Sequence, residues 1–267
     1  MGKQSKNILF RKGNEVIMDI KSSTKFCHFT SSDNARDILN SETFFLSKYD
    51  KMNDLAEAGL HSDEKNKVFV LCFSNSESLN IPAFYLYGGI DGKGCRIQFT
   101  DTKMREIVDG CSLFYVNKKF KRLKKEISKS EYKIYFDWIY YISSNGYCEH
   151  RNEDAKQYLN IDDAIAELKK NNKHYFIKNP IWKYENEFRI VIVFDHEIEY
   201  DKIALMFHIK DSDNGISVAF GPETTEEEYI NLSNEFREYG VSKSNRTSDY
   251  AISMNLVMRN KRILKRS

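Results

Sequence analysis

No apolar run in this chain approaches the roughly 18 residues that a membrane-spanning helix needs. The opening M-G-K-Q-S-K-N-I-L-F also lacks an apolar signal core. The expected setting is therefore soluble and cytoplasmic, without a membrane partner. Proline is scarce, at 3 residues in 267, so few elements are interrupted by a fixed φ and a missing donor. No Cys-x-x-Cys spacing occurs. The five cysteines (Cys27, Cys72, Cys95, Cys111, Cys148) are scattered and odd in number, which points to reduced thiols rather than a disulfide framework or a zinc site. Cys27 and Cys72 lie in apolar runs and read as small core residues. Neither a phosphate loop, a nucleophile elbow nor a metal-ligand spacing is present, so no metal is expected. Four glycines crowd Gly88–Gly94, and a hairpin turn at Asp91-Gly92-Lys93-Gly94 explains Gly92 and Gly94 better than a phosphate cradle does. The net charge is only +2, so any attraction to nucleic acid has to come from local patches.

What is present suits a packed domain. Hydrophobic residues make up 41% and aromatic residues 13%, enough for a sizeable core. A polar N-terminal arm (1–24) holds one short strand near Glu15–Ile20, the main domain spans 25–258, and a basic tail covers 259–267. Phe26–Thr30 reads as a strand carrying His28, and Ser31 to Asp33 cap a short amphipathic helix with Ala35, Ile38 and Leu39 inward. Phe44–Ser47 is a second strand, and Val68–Phe73 a central one. Further strands are expected at Cys95–Phe99, Ile203–Ile209 and Ile216–Phe220, with a helix over Glu226–Tyr239 that Gly240 terminates.

Composition shifts near residue 115. Between residues 117 and 133 stand eight Lys or Arg against two Glu. The aromatics Tyr132, Tyr135, Phe136, Trp138, Tyr140 and Tyr141 then suggest an amphipathic helix, and a second helix is expected over Ile161–Asn171. The region 115–175 is thus expected to be a helical insertion between two halves of a sheet. Its basic segment 117–133 is a solvated face or a nucleic-acid surface, and its aromatics read as core.

The richest stretch is N-P-I-W-K-Y-E-N-E-F-R-I-V-I-V-F, Asn179–Phe194. Ile190–Phe194 is an unbroken β-branched and aromatic run, as in a strand buried on both faces. Glu185, Glu187 and Arg189 precede it at every second position and would share one face if the strand begins that early. Buried charges are costly unless paired or used. Either a structural Glu–Arg ion pair or a functional site fits this spacing.

These pieces, in order, resemble a family. F-C-H-F-T-S, I-L-N, F-F-L-S, M-N-D-x-x-E, V-L-C-F-S, I-P-A-F-Y-L-Y-G, G-K-G-C-R-I-Q-F, I-W-K-Y-E-N-E-F-R and A-F-G-P match the pattern of the bacterial family known as domain of unknown function 2971. The likeness spans about residues 25–255. Phe84 stands where that family has Trp, before Tyr87, so stacking survives while an indole N–H is lost. The basic insertion is not part of the family's core pattern.

That family in turn looks like the ADP-ribosyltransferase superfold. The resemblance implies an α+β domain with a split, mixed or antiparallel sheet. It also implies an enzyme that uses NAD as a substrate without a metal, of the bacterial toxin or defence-effector kind, acting on protein or nucleic acid. Under it, His28 contacts a ribose hydroxyl, Tyr87 lies beside the nicotinamide, and Glu187, with Glu185 as the alternative, is the catalytic carboxylate. Thr30, Ser47 and Arg189 would help to hold NAD, with Arg189 either fixing Glu187 or gripping the pyrophosphate. Asn53, Asp54, Glu57 and Glu185 would face the acceptor. A neutralising protein partner would suit a toxin. The competing expectations are a non-catalytic module that binds nucleic acid or protein, and a NAD glycohydrolase with water as acceptor.

Overall fold

The structure, a computed structural model, describes residues 7–12, 15–21, 24–52, 64, 66–75, 81–89, 91–116, 122–151, 153–209 and 215–243. In chain order the strands are β1 (Asn7–Lys12), β2 (Glu15–Lys21), β3 (Lys25–Thr30), β4 (Thr43–Lys48), β5 (Val68–Asn75), β6 (Cys95–Thr100), β7 (Ser112–Val116), β8 (Arg122–Glu126) and β9 (Tyr132–Trp138). They continue as β10 (Tyr140–Ile142), β11 (Tyr147–His150), β12 (Glu153–Gln157), β13 (Ile177–Lys178), β14 (Glu187–Phe194), β15 (Lys202–Met206), β16 (Ile216–Phe220) and β17 (Gly240–Lys243). The helices are α1 (Ser32–Ser41), α2 (Ile81–Tyr87), α3 (Asp101–Gly110), α4 (Ile161–Lys170) and α5 (Glu226–Glu235). The architecture is α+β, with few helices around a large mixed sheet.

That sheet has 11 strands, and β5 is its junction. Along one edge β5 pairs with β14 over its whole length, from Glu187↔Ser74 to Val193↔Val68. Along the other edge it is shared: β3 takes the end at Ser74 and Asn75, while β4 takes Phe69 and Val70. Between those two pairings, at residues 71–73, β3 and β4 part and the sheet is split. β14 is a continuous apolar run because both faces are covered. Phe188, Ile190 and Ile192 join the larger core, and Val191 joins the smaller one on the opposite face. The larger core receives α1 through Ala35, Ile38 and Leu39, α3 through Met104 and Ile107, and Phe236 from just after α5. The smaller core lies under a four-stranded sheet ordered β12, β11, β10, β13.

The expected helical insertion over 115–175 is a correction: this region is mostly strands, and α4 is its helix among the described residues. Tyr132, Ile134, Phe136 and Trp138 point to the larger core at every second position, as a strand requires. Tyr135, Tyr140 and Tyr141 pack in the smaller core on the other side. Aromatics on both faces of adjoining strands imitate helical spacing, while their β propensity argues for the strand. The aromatics are core residues, as expected. Residues 117–121 of the basic segment, and the tail 259–267, lie outside the described residues. The N-terminal arm contains a hairpin, β1 against β2, in place of a single strand. Gly240 begins β17 instead of capping α5, which ends at Glu235 with Phe236 as its C-cap.

Asp91–Gly94 is also not a hairpin turn between paired strands. It links α2 to β6, and β6 pairs with β3 and β16. The glycines serve close backbone approach. A Cβ on Gly94 would lie 2.3 Å from the Gly88 Cα, and one on Gly221 would lie 2.1 Å from the Gly92 carbonyl oxygen. The Gly221 N–H donates to the Gly94 carbonyl at 2.7 Å, so the backbone there has no slack. Gly221→Ala should therefore destabilise the fold by about 2–3 kcal/mol, at the upper end of overpacking costs. Gly110→Ala, whose Cβ would meet nothing within 4 Å, should stay within about 0.5 kcal/mol. Urea denaturation of the two variants checks the contrast.

Candidate functional site

A cavity of about 240 Å³ opens where β3 and β4 part. His28, Ser47, Cys72, Tyr87, Lys178, Glu185 and Glu187 contribute to its walls, and Lys51 and Met52 follow at the end of β4. Strand alternation explains who reaches it. Phe44, Leu71 and Phe73 belong to the larger core, and the His28 ring meets Phe44 edge-on with centroids 5.2 Å apart. Ser47, Cys72 and Glu187 project from the opposite face. The two sets meet because the sheet is open between them.

His28 closes part of that opening. The Asn75 N–H donates to Asn186 on the β14 side. By alternation, Ser74, Cys72 and Val70 therefore direct their backbone groups to the β3/β4 edge. Val70 and Ser74 find strand partners there, and Cys72 falls in the gap. The Nδ1 of His28 lies 3.1 Å from the Cys72 carbonyl oxygen. A carbonyl only accepts, so Nδ1 carries the proton and donates. Burial lowers the proton affinity of the ring against the raising effect of that bond, which favours the neutral imidazole. In this tautomer Nε2 keeps its lone pair as an acceptor.

The charged wall comes from one continuous segment. Lys178 ends β13, and Asn179 caps a 3₁₀ helix over Pro180–Glu185 by accepting from the Ile181 N–H at 3.0 Å. Asn186 then turns the chain with φ +44°, and β14 starts at Glu187. The expected shared strand face holds for Glu187 and Arg189 but not for Glu185, which the 3₁₀ turn brings in from outside the strand. Arg189 Nε donates to Glu187 Oε1 at 2.6 Å and Nη2 to Oε2 at 3.2 Å. The Lys178 ammonium donates to Glu187 Oε2 at 2.8 Å and to Glu185 Oε2 at 2.5 Å. The Tyr87 hydroxyl donates to Glu185 Oε1. Behind the wall, Arg189 Nη1 donates to the Tyr49 hydroxyl at 3.3 Å, and that hydroxyl donates to the Tyr175 carbonyl at 3.3 Å. The Tyr141 hydroxyl accepts from the Glu187 N–H at 3.1 Å.

The two carboxylates end up chemically unlike. Burial works to raise the Glu187 carboxyl, but the adjacent Arg189 and Lys178 charges and their hydrogen bonds outweigh it and hold Glu187 well below the usual carboxylate range. Burial also raises Glu185, Lys178 opposes it, and the neighbouring Glu187 charge adds to the rise, so the net shift is upward. The ion pairs hold Glu187 as the anion, and Glu185 takes up a proton more readily than an ordinary carboxylate. Burial pushes the Cys72 thiol well up, with the Glu187 charge adding to it, so this thiol is no nucleophile.

The residues singled out from the sequence divide as follows. His28, Ser47, Tyr87, Glu185 and Glu187 share the cavity wall. Thr30 is buried away from it. Arg189 is fully buried behind Glu187, so of its two expected roles the geometry allows fixing Glu187 and not gripping a pyrophosphate. Asn53, Asp54 and Glu57 lie outside the described residues. Lys178 was missed. The only signal for it was its place one residue before Asn179-Pro180, which says nothing about charge pairing. Among the described residues no cluster of three or more His, Cys, Asp or Glu could hold a metal, and no helix is long and apolar enough to cross a membrane.

No family model, no curated protein sequence and no solved structure matches this chain. The chemistry of the site therefore rests on its own geometry.

Proposed function

We propose that the cavity cleaves the nicotinamide–ribose bond of NAD and passes the ADP-ribosyl group to an acceptor. The observation that carries this reading is the meeting of a buried carboxylate gripped by Arg189 and Lys178, a second carboxylate that shares the lysine, and the hydroxyls of Tyr87 and Ser47 around one ring-sized cavity in a split sheet. The fold expected for such a transferase, an ADP-ribosyltransferase-like split sheet of the domain of unknown function 2971 kind, belongs to the same proposal.

The chemistry fits the wall. The C1′–N1 bond breaks with both electrons going to the ring, so nicotinamide leaves neutral and needs no metal. Positive charge develops at C1′ and the ring oxygen, as in glycoside cleavage. Glu187, held as an anion by Arg189 and Lys178, offers a preorganised negative charge to that cation. The acceptor's nucleophilic oxygen or nitrogen forms the new bond to C1′. Its proton passes to Glu185, which must be ionised to take it. His28 Nε2 accepts from a ribose hydroxyl, and the exposed Tyr87 ring flanks the leaving group. About 240 Å³ is below the range of about 300–1,000 Å³ typical of whole-ligand sites. The cavity thus takes the nicotinamide–ribose end, and the rest of NAD lies outside it.

Nicotinamide release and label transfer from NAD into separate protein, RNA and DNA pools test the reading. Wild type should release nicotinamide, and Glu187→Gln should release it about 10²–10³-fold more slowly. Because that change also strips a partner from Arg189, Ser47→Trp is the companion variant: it fills the cavity, touches no ion pair, and should abolish release. Release without transfer would identify water as the acceptor. Absence of both release and calorimetric NAD binding in the wild type would overturn the proposal.

A further inference from the structure

We propose that Lys178 is the positioning residue that gives the two carboxylates of the site their unlike tasks. This inference rests on the reading of the cavity as a NAD-cleaving centre. Its observation is geometric: one ammonium, on a side chain 6% exposed, reaches Oε2 of Glu185 at 2.5 Å and Oε2 of Glu187 at 2.8 Å. Arg189 serves Glu187 with a two-point grip. Lys178 is the cation that both carboxylates share, and it stands on the cavity wall beside them.

Its placement is built in. β13 runs parallel to β10, pairing Tyr141↔Lys178, so the Lys178 backbone is fixed by the small sheet. The 3₁₀ helix that Asn179 caps then brings Glu185, seven residues on, back to the ammonium. The Trp182 ring covers the ammonium with its centroid 5.0 Å away. The groups facing Glu185 and Lys178 include the Tyr87 hydroxyl from α2, Tyr184 from the same 3₁₀ turn, Glu187 and Arg189 from β14, Tyr141 from β10, Cys72 from β5, His28 from β3 and Lys51 on the cavity wall. Lys178 is the cation that hydrogen-bonds Glu185. Its charge should therefore set the pH at which Glu185 changes state, while its second hydrogen bond keeps Glu187 turned to the cavity.

Trp182 supplies a readout that needs no NAD. Its fluorescence should follow the ionisation of Glu185, and Glu185→Gln should remove that transition. In Lys178→Met the midpoint should rise by about one unit or more, since an opposite charge at this range lowers a carboxyl by about 1–3 units. In Lys178→Arg, which keeps the charge, it should stay within about half a unit. If Lys178→Met does not fold, Lys178→Gln takes its place with the same expected rise. Nicotinamide release should show the same displacement to higher pH. An unmoved midpoint in the uncharged variants, or an Arg variant that shifts as they do, overturns the role of Lys178. A shifted midpoint in a protein that never releases nicotinamide would instead sink the NAD reading and leave the arrangement of Lys178 standing.

Discussion

Arg189→Met should cost the folded state about 3–5 kcal/mol at neutral pH, the range found when one partner of a buried ion pair is removed. The thermal midpoint should fall on the order of 10 °C. Arg189 is fully buried and its guanidinium grips both oxygens of Glu187, itself only 4% exposed. Removing it leaves a carboxylate in the interior with the weak Cys72 thiol donor and Lys178, and Lys178 is already shared with Glu185. Tyr49 and Tyr175 lose a partner as well. The pH dependence separates this cause from a mere packing defect. In the wild type the folded-state proton affinity of Glu187 is depressed, so its contribution is present above the unfolded carboxylate value of about 4.3 and is lost as pH falls below it. In Arg189→Met the folded carboxyl is no longer depressed to that extent. Its deficit relative to wild type should shrink on acidification, because a protonated Glu187 does not need the guanidinium. The double variant Arg189→Met/Glu187→Leu should recover most of the loss, since an apolar pair of similar volume often replaces a buried ion pair without cost. Guanidinium titrations at two pH values test this, and a loss below about 1 kcal/mol that is constant with pH would refute the account.

The same residues show how much of the molecule can be read from sequence. The Glu-x-Glu-x-Arg spacing before an apolar run was enough to mark β14 and the Glu187–Arg189 pair, because an i, i+2 pair on a strand is a local geometry. Glu185 was marked for a partly wrong reason. It reaches the site through a 3₁₀ turn and a left-handed Asn186, and neither leaves a sharp pattern of residue types. Lys178 was illegible: its role depends on a 3₁₀ turn that brings back Glu185, seven residues on, and on pairing with β10, whose own nature was misread as helix. The strands that were found, β3 to β6 and β14 to β16, carry period-two or continuous apolar patterns. Those that were missed, β1 and β7 to β13, are short, charged or aromatic on both faces. The split of the sheet follows from two partial pairings on one edge of β5, which is tertiary information.

The two carboxylates should separate in a pH profile of nicotinamide release. On the proposed chemistry Glu185 is the base, so the wild-type rate should rise with pH through its raised proton affinity and then level off. The limb should lie above the ordinary carboxylate value of about 4.3. Glu185→Gln should remove that limb and lower the plateau by about 10²–10⁴-fold, the usual worth of a positioned proton acceptor. Glu187→Gln should behave otherwise. It removes the anion that meets the developing cation, lowering the plateau by about 10²–10³-fold. It also removes the like charge that helps to raise Glu185, so the surviving limb should move to lower pH. The combined variant should fall short of the product of the two losses, because both groups act on one transition state. Tyr87→Phe, which deletes a hydrogen bond to the ionised Glu185, should move the limb up without removing it. A Glu185→Gln enzyme that keeps the wild-type limb would assign the base elsewhere, and Glu187→Gln with an unshifted limb would break the coupling between the two carboxylates on which the site is built.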